Sequence, residues 1–235
     1  MALVLENVTK SFGKKKALNN INLSFEKGRI YGLLGPNGSG KSTMLKLMTG
    51  LTFPTIGTVT LNGHPVTRKS SEQVAYLTEL DMFYDVFTVE ETVNYMGSQF
   101  ADFNIEKAKE LLGELNLDST QKVKSLSKGN RGRLKLVTTL SRDTDAILLD
   151  EPFSGLDPMV RDSIVNSLLK YIDFENQVLI IATHEITEIE SLLDEAIAIH
   201  YGNVIGQESV ETLREEQGLS VLQWFKQISR EQGEG

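Results

Sequence analysis

Short apolar segments recur along the chain: "INLSF" at 21–25, "RIYGLLG" at 29–35, "TVTLNG" at 58–63, "QVAYL" at 73–77, "AILLD" at 146–150, "VLIIAT" at 178–183 and "EAIAIHYG" at 195–202. Several are apolar at consecutive positions, as expected of strands buried on both faces. Between them lie patterns of helical period, "KSTMLKLMTGL" after the first strand–loop and "PMVRDSIVNSLLKYI" before "VLIIAT". Strands alternating with helices predict an α/β fold on a largely parallel sheet.

The rhythm changes between about 79 and 138, where "VEETVNYMGSQFA", "IEKAKELLGEL" and "RGRLKLVTTLSR" read as successive helices with no strand between them. No repeat, low-complexity run or linker sets this stretch apart, so it reads as a helical subdomain inserted in one domain. The expected division is an α/β core over 1–78 and 139–207, the helical insert over 79–138, and C-terminal helices and tail over 208–235. "NVIGQ" after residue 202 suggests an edge strand, followed by short amphipathic helices in "VETLREEQ" and "SVLQWFKQI".

Composition narrows the function. With 235 residues and 40% apolar content the chain supports one substantial core. A formal net charge of −8 argues against nucleic-acid binding. With no cysteine there is neither a disulfide framework nor a thiolate metal site. No apolar run approaches the roughly 18–20 residues that span a bilayer, so work at a membrane requires a partner or surface attachment.

"GPNGSGKST" fits G-x-x-x-x-G-K-[ST] and stands between a strand and a helix, the context that motif requires. Gly35, Pro36, Asn37, Gly38, Ser39 and Gly40 form the loop, whose glycines let backbone N–H groups converge on phosphate oxygens. Lys41 is expected to reach the terminal phosphates, Ser42 to ligate Mg²⁺ and Thr43 to donate to a phosphate. "AILLDEP" is an apolar strand ending in two carboxylates. Burying an acid there is costly without a counter-charge, which a Mg²⁺ ion beside Ser42 supplies for Asp150. Glu151, pointing the other way, is then placed to orient or deprotonate an attacking water.

These residues resemble the ATP-binding subunits of ABC transporters, and the resemblance spans the whole chain. It implies a P-loop NTPase (RecA-like) core with an N-terminal antiparallel β-subdomain and an inserted α-helical subdomain, using ATP and Mg²⁺. "PFSGLDP" resembles the D-loop, with Ser154, Gly155, Leu156 and Asp157. His184 in "ATHE" matches the switch histidine that contacts the terminal phosphate, and Phe12 in "VTKSFG" takes the place of the aromatic that stacks on adenine. "LSKGN" at 126–130 stands where the family has LSGGQ. By that resemblance Ser127 and the N–H of Gly129 clamp the γ-phosphate held by a second ATP-binding subunit, across a head-to-tail interface.

Two departures from the family pattern stand out. Lys128 and Asn130 replace a glycine and a glutamine in the signature, while Ser127 and Gly129 are kept. Glu79 in "YLTEL" replaces the Q-loop glutamine and becomes a candidate Mg²⁺ ligand. The resemblance also implies an integral-membrane permease subunit, a position on the cytoplasmic face of the cell membrane and, from the signature and Q-loop variants, an exporter of the drug or antibiotic-peptide kind. Met82, Phe83, Tyr84, Val86 and Phe87 form an apolar cluster where the family docks its membrane partner. Two other readings stay open here: a soluble ABC-type ATPase acting on a macromolecular assembly such as iron–sulfur assembly, and a nucleotide-binding regulator, the latter disfavoured by Glu151 and His184.

Overall fold

The computed structural model describes residues 2–80, 82–154 and 158–231, with backbone alone for 158–160. In chain order the elements are β1 (Leu3–Phe12), β2 (Lys15–Phe25), β3 (Ile30–Leu34), α1 (Lys41–Met48), β4 (Ile56–Leu61), β5 (His64–Pro65), β6 (Val74–Leu77), α2 (Val89–Gln99), α3 (Ile105–Glu114), α4 (Lys128–Leu140), β7 (Ala146–Asp150), α5 (Pro158–Tyr171), β8 (Val178–Thr183), β9 (Glu195–His200), β10 (Asn203–Ser209), α6 (Val210–Glu215) and α7 (Val221–Glu231).

Six strands make the main sheet in the order β10-β9-β3-β8-β7-β6. Its inner pairings are all parallel, and only the β10 edge runs antiparallel. The consecutive apolar residues of β3, β7 and β8 are buried at every position because both faces are covered. Alternation along each strand divides them between two cores. Tyr31, Leu33, Val74, Ala146, Leu148, Val178 and Ile180 face α1 and the second sheet, of order β2-β1-β4-β5. Ile30, Leu34, Ala75, Leu77, Ile147, Leu149, Leu179 and Ile181 face the helices α2–α5 and α7.

β1 is a ten-residue strand that the apolar pattern alone did not single out. Its partly exposed pattern reflects an antiparallel sheet with a core on one face, and register shifts after Leu5 and Val8 break the alternation. The antiparallel β-subdomain implied by the family resemblance is thus built by β1, β2, β4 and β5.

The helical segment starts with α2, whose N-cap Thr88 and Glu91 form a reciprocal capping box. α4 starts at Lys128, three residues ahead of the apolar pattern, and runs past residue 138 to Leu140. Its early start takes the signature residues into the first helical turn. No helix among the described residues is long and apolar enough to cross a membrane.

Candidate active site

The loop 35–40 leaves the C-terminal end of β3 and turns directly into α1. Gly40 stands at the N-cap with φ 118°, and a Cβ there would lie 2.8 Å from the carbonyl oxygen of Ala17. Only glycine satisfies both conditions. Gly38 also has a left-handed φ, of 81°, with open space where a side chain would project. No side chain caps α1, so the N–H groups of Lys41, Ser42 and Thr43 in its first turn are left for an anion. The Ser39 hydroxyl, buried beside Gly35, has no hydrogen-bond partner. A loop with unclaimed donors, a helix N-terminus and a buried ammonium fits a polyphosphate.

Lys41 is 5% exposed. Its Nζ donates to the carbonyl oxygens of Gly35 at 2.7 Å and Pro36 at 3.3 Å, and lies 3.4 Å from Glu151 Oε1. The loop thereby holds its own cation at its mouth.

Asp150 ends β7, and strand parity turns its side chain toward α1, the same way as Leu148 and Tyr76. Ser42 donates from Oγ to Asp150 Oδ1 at 3.0 Å, and Tyr76 donates from its hydroxyl to Oδ2 at 3.0 Å. Burial pushes the Asp150 carboxyl above its ordinary range; the bonds from Ser42 and Tyr76 pull it down, and the charges of Glu79 and Glu151 push it up. The Tyr76 hydroxyl is raised by burial and by the neighbouring Asp150. Ser42 and Asp150 therefore offer two hard oxygen donors side by side in a region of excess negative charge. That donor set fits Mg²⁺. Glu79 is exposed, within electrostatic reach of Asp150, and its main-chain oxygen accepts from Lys135 Nζ at 2.8 Å.

Glu151 leaves the strand with φ 49°, an uncommon conformation for a residue with a side chain. The turn carries its carboxylate away from Asp150, in keeping with the expected opposite direction, and into a separate set of contacts. Oε1 lies 2.9 Å from His184 Nδ1 as well as 3.4 Å from Lys41 Nζ. Oε2 accepts from Thr183 Oγ1 at 2.9 Å and from the His184 N–H at 3.4 Å. Lys41, Glu151 and His184 thus converge although they come from three different strand ends.

The remaining expected residues lie further out. Phe12 is at the end of β1 with its ring 56% exposed. Ser127 is the N-cap of α4 and accepts from the N–H of Asn130 at 3.2 Å; Gly129 stands in the first turn. Ser154 is exposed, whereas the D-loop assignments for Gly155, Leu156 and Asp157 fall outside the described residues.

Sequence reasoning missed Tyr76 and Thr183. Tyr76 sits on β6, whose even positions face α1, and Thr183 ends an otherwise apolar strand; a polar group at either place was the available signal.

The ABC transporter family model matches residues 18–154, more than half of the chain. The Nod factor export ATP-binding protein I of Rhizobium sp. (strain N33) is 32% identical over 96% of this chain and 77% of its own length, and that of Burkholderia lata is 35% identical over 93% and 75%. The lantibiotic transport ATP-binding protein SrtF of Streptococcus pyogenes is 30% identical over 90% of this chain and 95% of its own. Among solved structures, an ATP-binding subunit of an ABC transporter superposes over 100% of both chains with a TM-score of 0.85 at 22% identity, which speaks for the fold. A dimeric ATP-binding cassette in a post-hydrolysis state, bound to ADP and Pi, gives 0.79 at 24% identity over 88% of this chain and 98% of its own.

The chain belongs to the ABC transporter family, as an ATP-binding subunit whose hydrolysis of ATP energises transport.

Proposed function

We propose that this ATPase works as a head-to-tail dimer on the cytoplasmic face of the cell membrane, driving export through a separate integral-membrane permease. The observation that carries the catalytic part is the Glu151 carboxylate held between Lys41 Nζ and His184 Nδ1. A carboxylate ringed by a phosphate-binding ammonium and an imidazole is placed to take the proton of a water attacking the γ-phosphate. Thr183 fixes its other oxygen and limits rotation. His184, with Nδ1 turned to Glu151, presents Nε2 to the terminal phosphate. Phe12 stacks on adenine, and Gly35 to Thr43 surround the phosphates.

Ser42 and Asp150 would hold Mg²⁺, with Glu79 alongside, and the ion would supply positive charge against the negative charge of the phosphates. Each Asp150 oxygen already accepts one hydrogen bond, so the carboxylate is oriented by Ser42 and Tyr76.

Dimerisation is supported by the signature turn. The Ser127 oxygen caps its own helix while its proton stays available to donate, and the first-turn N–H groups of Lys128 and Gly129 have no partner within the helix. A second subunit's γ-phosphate suits that set of donors.

The permease is supported by the segment between β6 and α2. Leu80, Met82, Tyr84 and Val86 are all exposed large apolar side chains, a concentration that marks an interaction surface. Phe83 packs against the helical core, and Phe87 and Tyr95 buttress Tyr84 with ring centroids 5.1 and 5.5 Å away. The exporting relatives favour export as the direction.

Glu151→Gln tests the catalytic reading. The variant should bind ATP, accumulate as a dimer and fail to turn over; hydrolysis at the native rate would remove Glu151 from its role. Co-purification of an integral-membrane subunit from membranes tests the rest, and a chain consistently without one would contradict it.

A further inference from the structure

Lys10 and Phe12 are two residues apart on β1, so their side chains leave the same face of the strand. The Lys10 ammonium lies over the Phe12 ring, 4.9 Å from its centroid. It is also tied down, donating at 2.7 Å to the carbonyl oxygen of Phe53 in the connection between α1 and β4. β1 is fastened to the same connection by two further bonds, from the N–H of Thr55 to the oxygen of Thr9 at 2.8 Å and from the N–H of Ser11 to Thr55 Oγ1 at 3.0 Å. The cation is therefore part of a framed corner and not a mobile surface lysine.

Phe12, a residue 56% exposed with a cation seated against one face of its ring, keeps the other face for a ligand. Without that cation, an exposed phenylalanine at a strand end would sample several χ1 wells, and stacking a base on it would cost that freedom. With it, one rotamer is favoured before nucleotide arrives. The lysine head is spoken for twice, by a π face and by a main-chain oxygen.

We propose that Lys10 is a positioning residue for nucleotide binding: it holds the Phe12 ring in the orientation that stacks on the purine and occupies the face the purine does not use. This inference rests on the adenine-stacking reading of Phe12. An exposed cation–π contact of about 0.5–1 kcal/mol corresponds to a two- to fivefold effect on affinity.

The test is the equilibrium affinity of the whole chain for ATP and for inorganic tripolyphosphate, which has the phosphates and lacks the base. Lys10→Met should weaken ATP binding about two- to fivefold and leave tripolyphosphate unchanged, and Lys10→Arg, which keeps a cation able to stack, should restore the ATP value. Equal losses for the two ligands would overturn the proposal, because Lys10 would then act by charge on the phosphates or through the loop's stability. Unchanged ATP affinity would overturn it as well. Phe12→Ala separates the two layers of the argument. A fall in the ATP affinity alone upholds base stacking, so that a silent Lys10→Met then counts against Lys10 only; an unchanged ratio of the two affinities overturns the stacking reading and the proposal together.

Discussion

Lys135, in the middle of α4, reaches out of the helix to bond the main-chain oxygen of Glu79 at 2.8 Å and that of Thr78 at 3.2 Å. The helix that begins with the signature turn is thereby fastened to the segment that leaves β6 beside the Asp150 carboxylate. A second fastening lies further along: Arg131 pairs with Asp85 at 2.7 Å, within the run of exposed apolar residues. One helix is therefore tied both to the segment that leaves β6 and to the run of exposed apolar residues.

Lys135→Met removes the donor to both oxygens while keeping the aliphatic stem. Amide hydrogen exchange across residues 78–80 should speed up, with a loss of global stability of about 1–2 kcal/mol. ATP affinity should stay within about twofold, since no phosphate contact is touched. Unaltered exchange would show that this segment is held from elsewhere.

Lys41→Ala should weaken ATP binding itself, because it removes the cation held at the mouth of the loop, the group proposed to meet the terminal phosphates. Among the described residues it leaves Glu151 with Thr183 and His184 as side-chain partners. Titration calorimetry reads the affinity directly, and a variant with the parent's affinity would contradict the phosphate-loop reading.

Glu151→Gln keeps the size of the side chain and an oxygen acceptor but removes the carboxylate proposed as the base. A loss of about 10²–10⁴-fold in kcat is expected, with ATP affinity retained. Single-turnover hydrolysis separates this from slow product release.

Tyr76→Phe deletes one of the two hydrogen bonds that favour the ionised form of Asp150. The folded Asp150 already titrates above the unfolded value of 3.8, so its contribution to stability is full below that value and is lost as pH rises through the folded one. Removing the bond raises the folded value further. The variant should thus approach the parent's stability in acid and fall behind by about 1–3 kcal/mol at neutral pH. Urea midpoints at the two ends of that range check the sign, and a deficit independent of pH would place the effect in packing instead.

Glu188, just beyond His184, is pushed up to about 7 by burial and by the neighbouring Glu185 carboxyl, against the pull of Arg161 with which it pairs. The folded chain binds a proton there that the unfolded chain, at an ordinary 4.5, has already released. Stability from this group is present below about 4.5 and drains away up to about pH 7. Glu188→Gln should unfold at a midpoint that varies less between pH 5 and 8 than the parent's, as followed by circular dichroism.

The linear sequence made the phosphate loop and the two carboxylates legible because each is a local pattern at a strand end: a strand, a glycine-rich turn and a helix for the first, an apolar run closed by Asp-Glu for the second. Their division of labour was partly visible, since Asp150 shares strand parity with residues facing α1. The partners that orient them were not. Tyr76 and Thr183 reach the two carboxylates across 74 and 32 residues of chain, and such pairings depend on sheet order, which apolar periodicity does not encode. β1 escaped for a related reason: its bulges and one-sided burial blur the alternation that strand recognition relies on.

The left-handed backbone of Glu151 bears on how this chain can change over time. Glycine or asparagine would sit more comfortably at φ 49°, relieving a strain of about 1–2 kcal/mol, so stability alone favours another residue over glutamate here. Selection for turnover is the opposing force. On the proposed role of Glu151, a descendant that kept nucleotide binding without hydrolysis would be free to take the easier residue at this position and to gain stability from it.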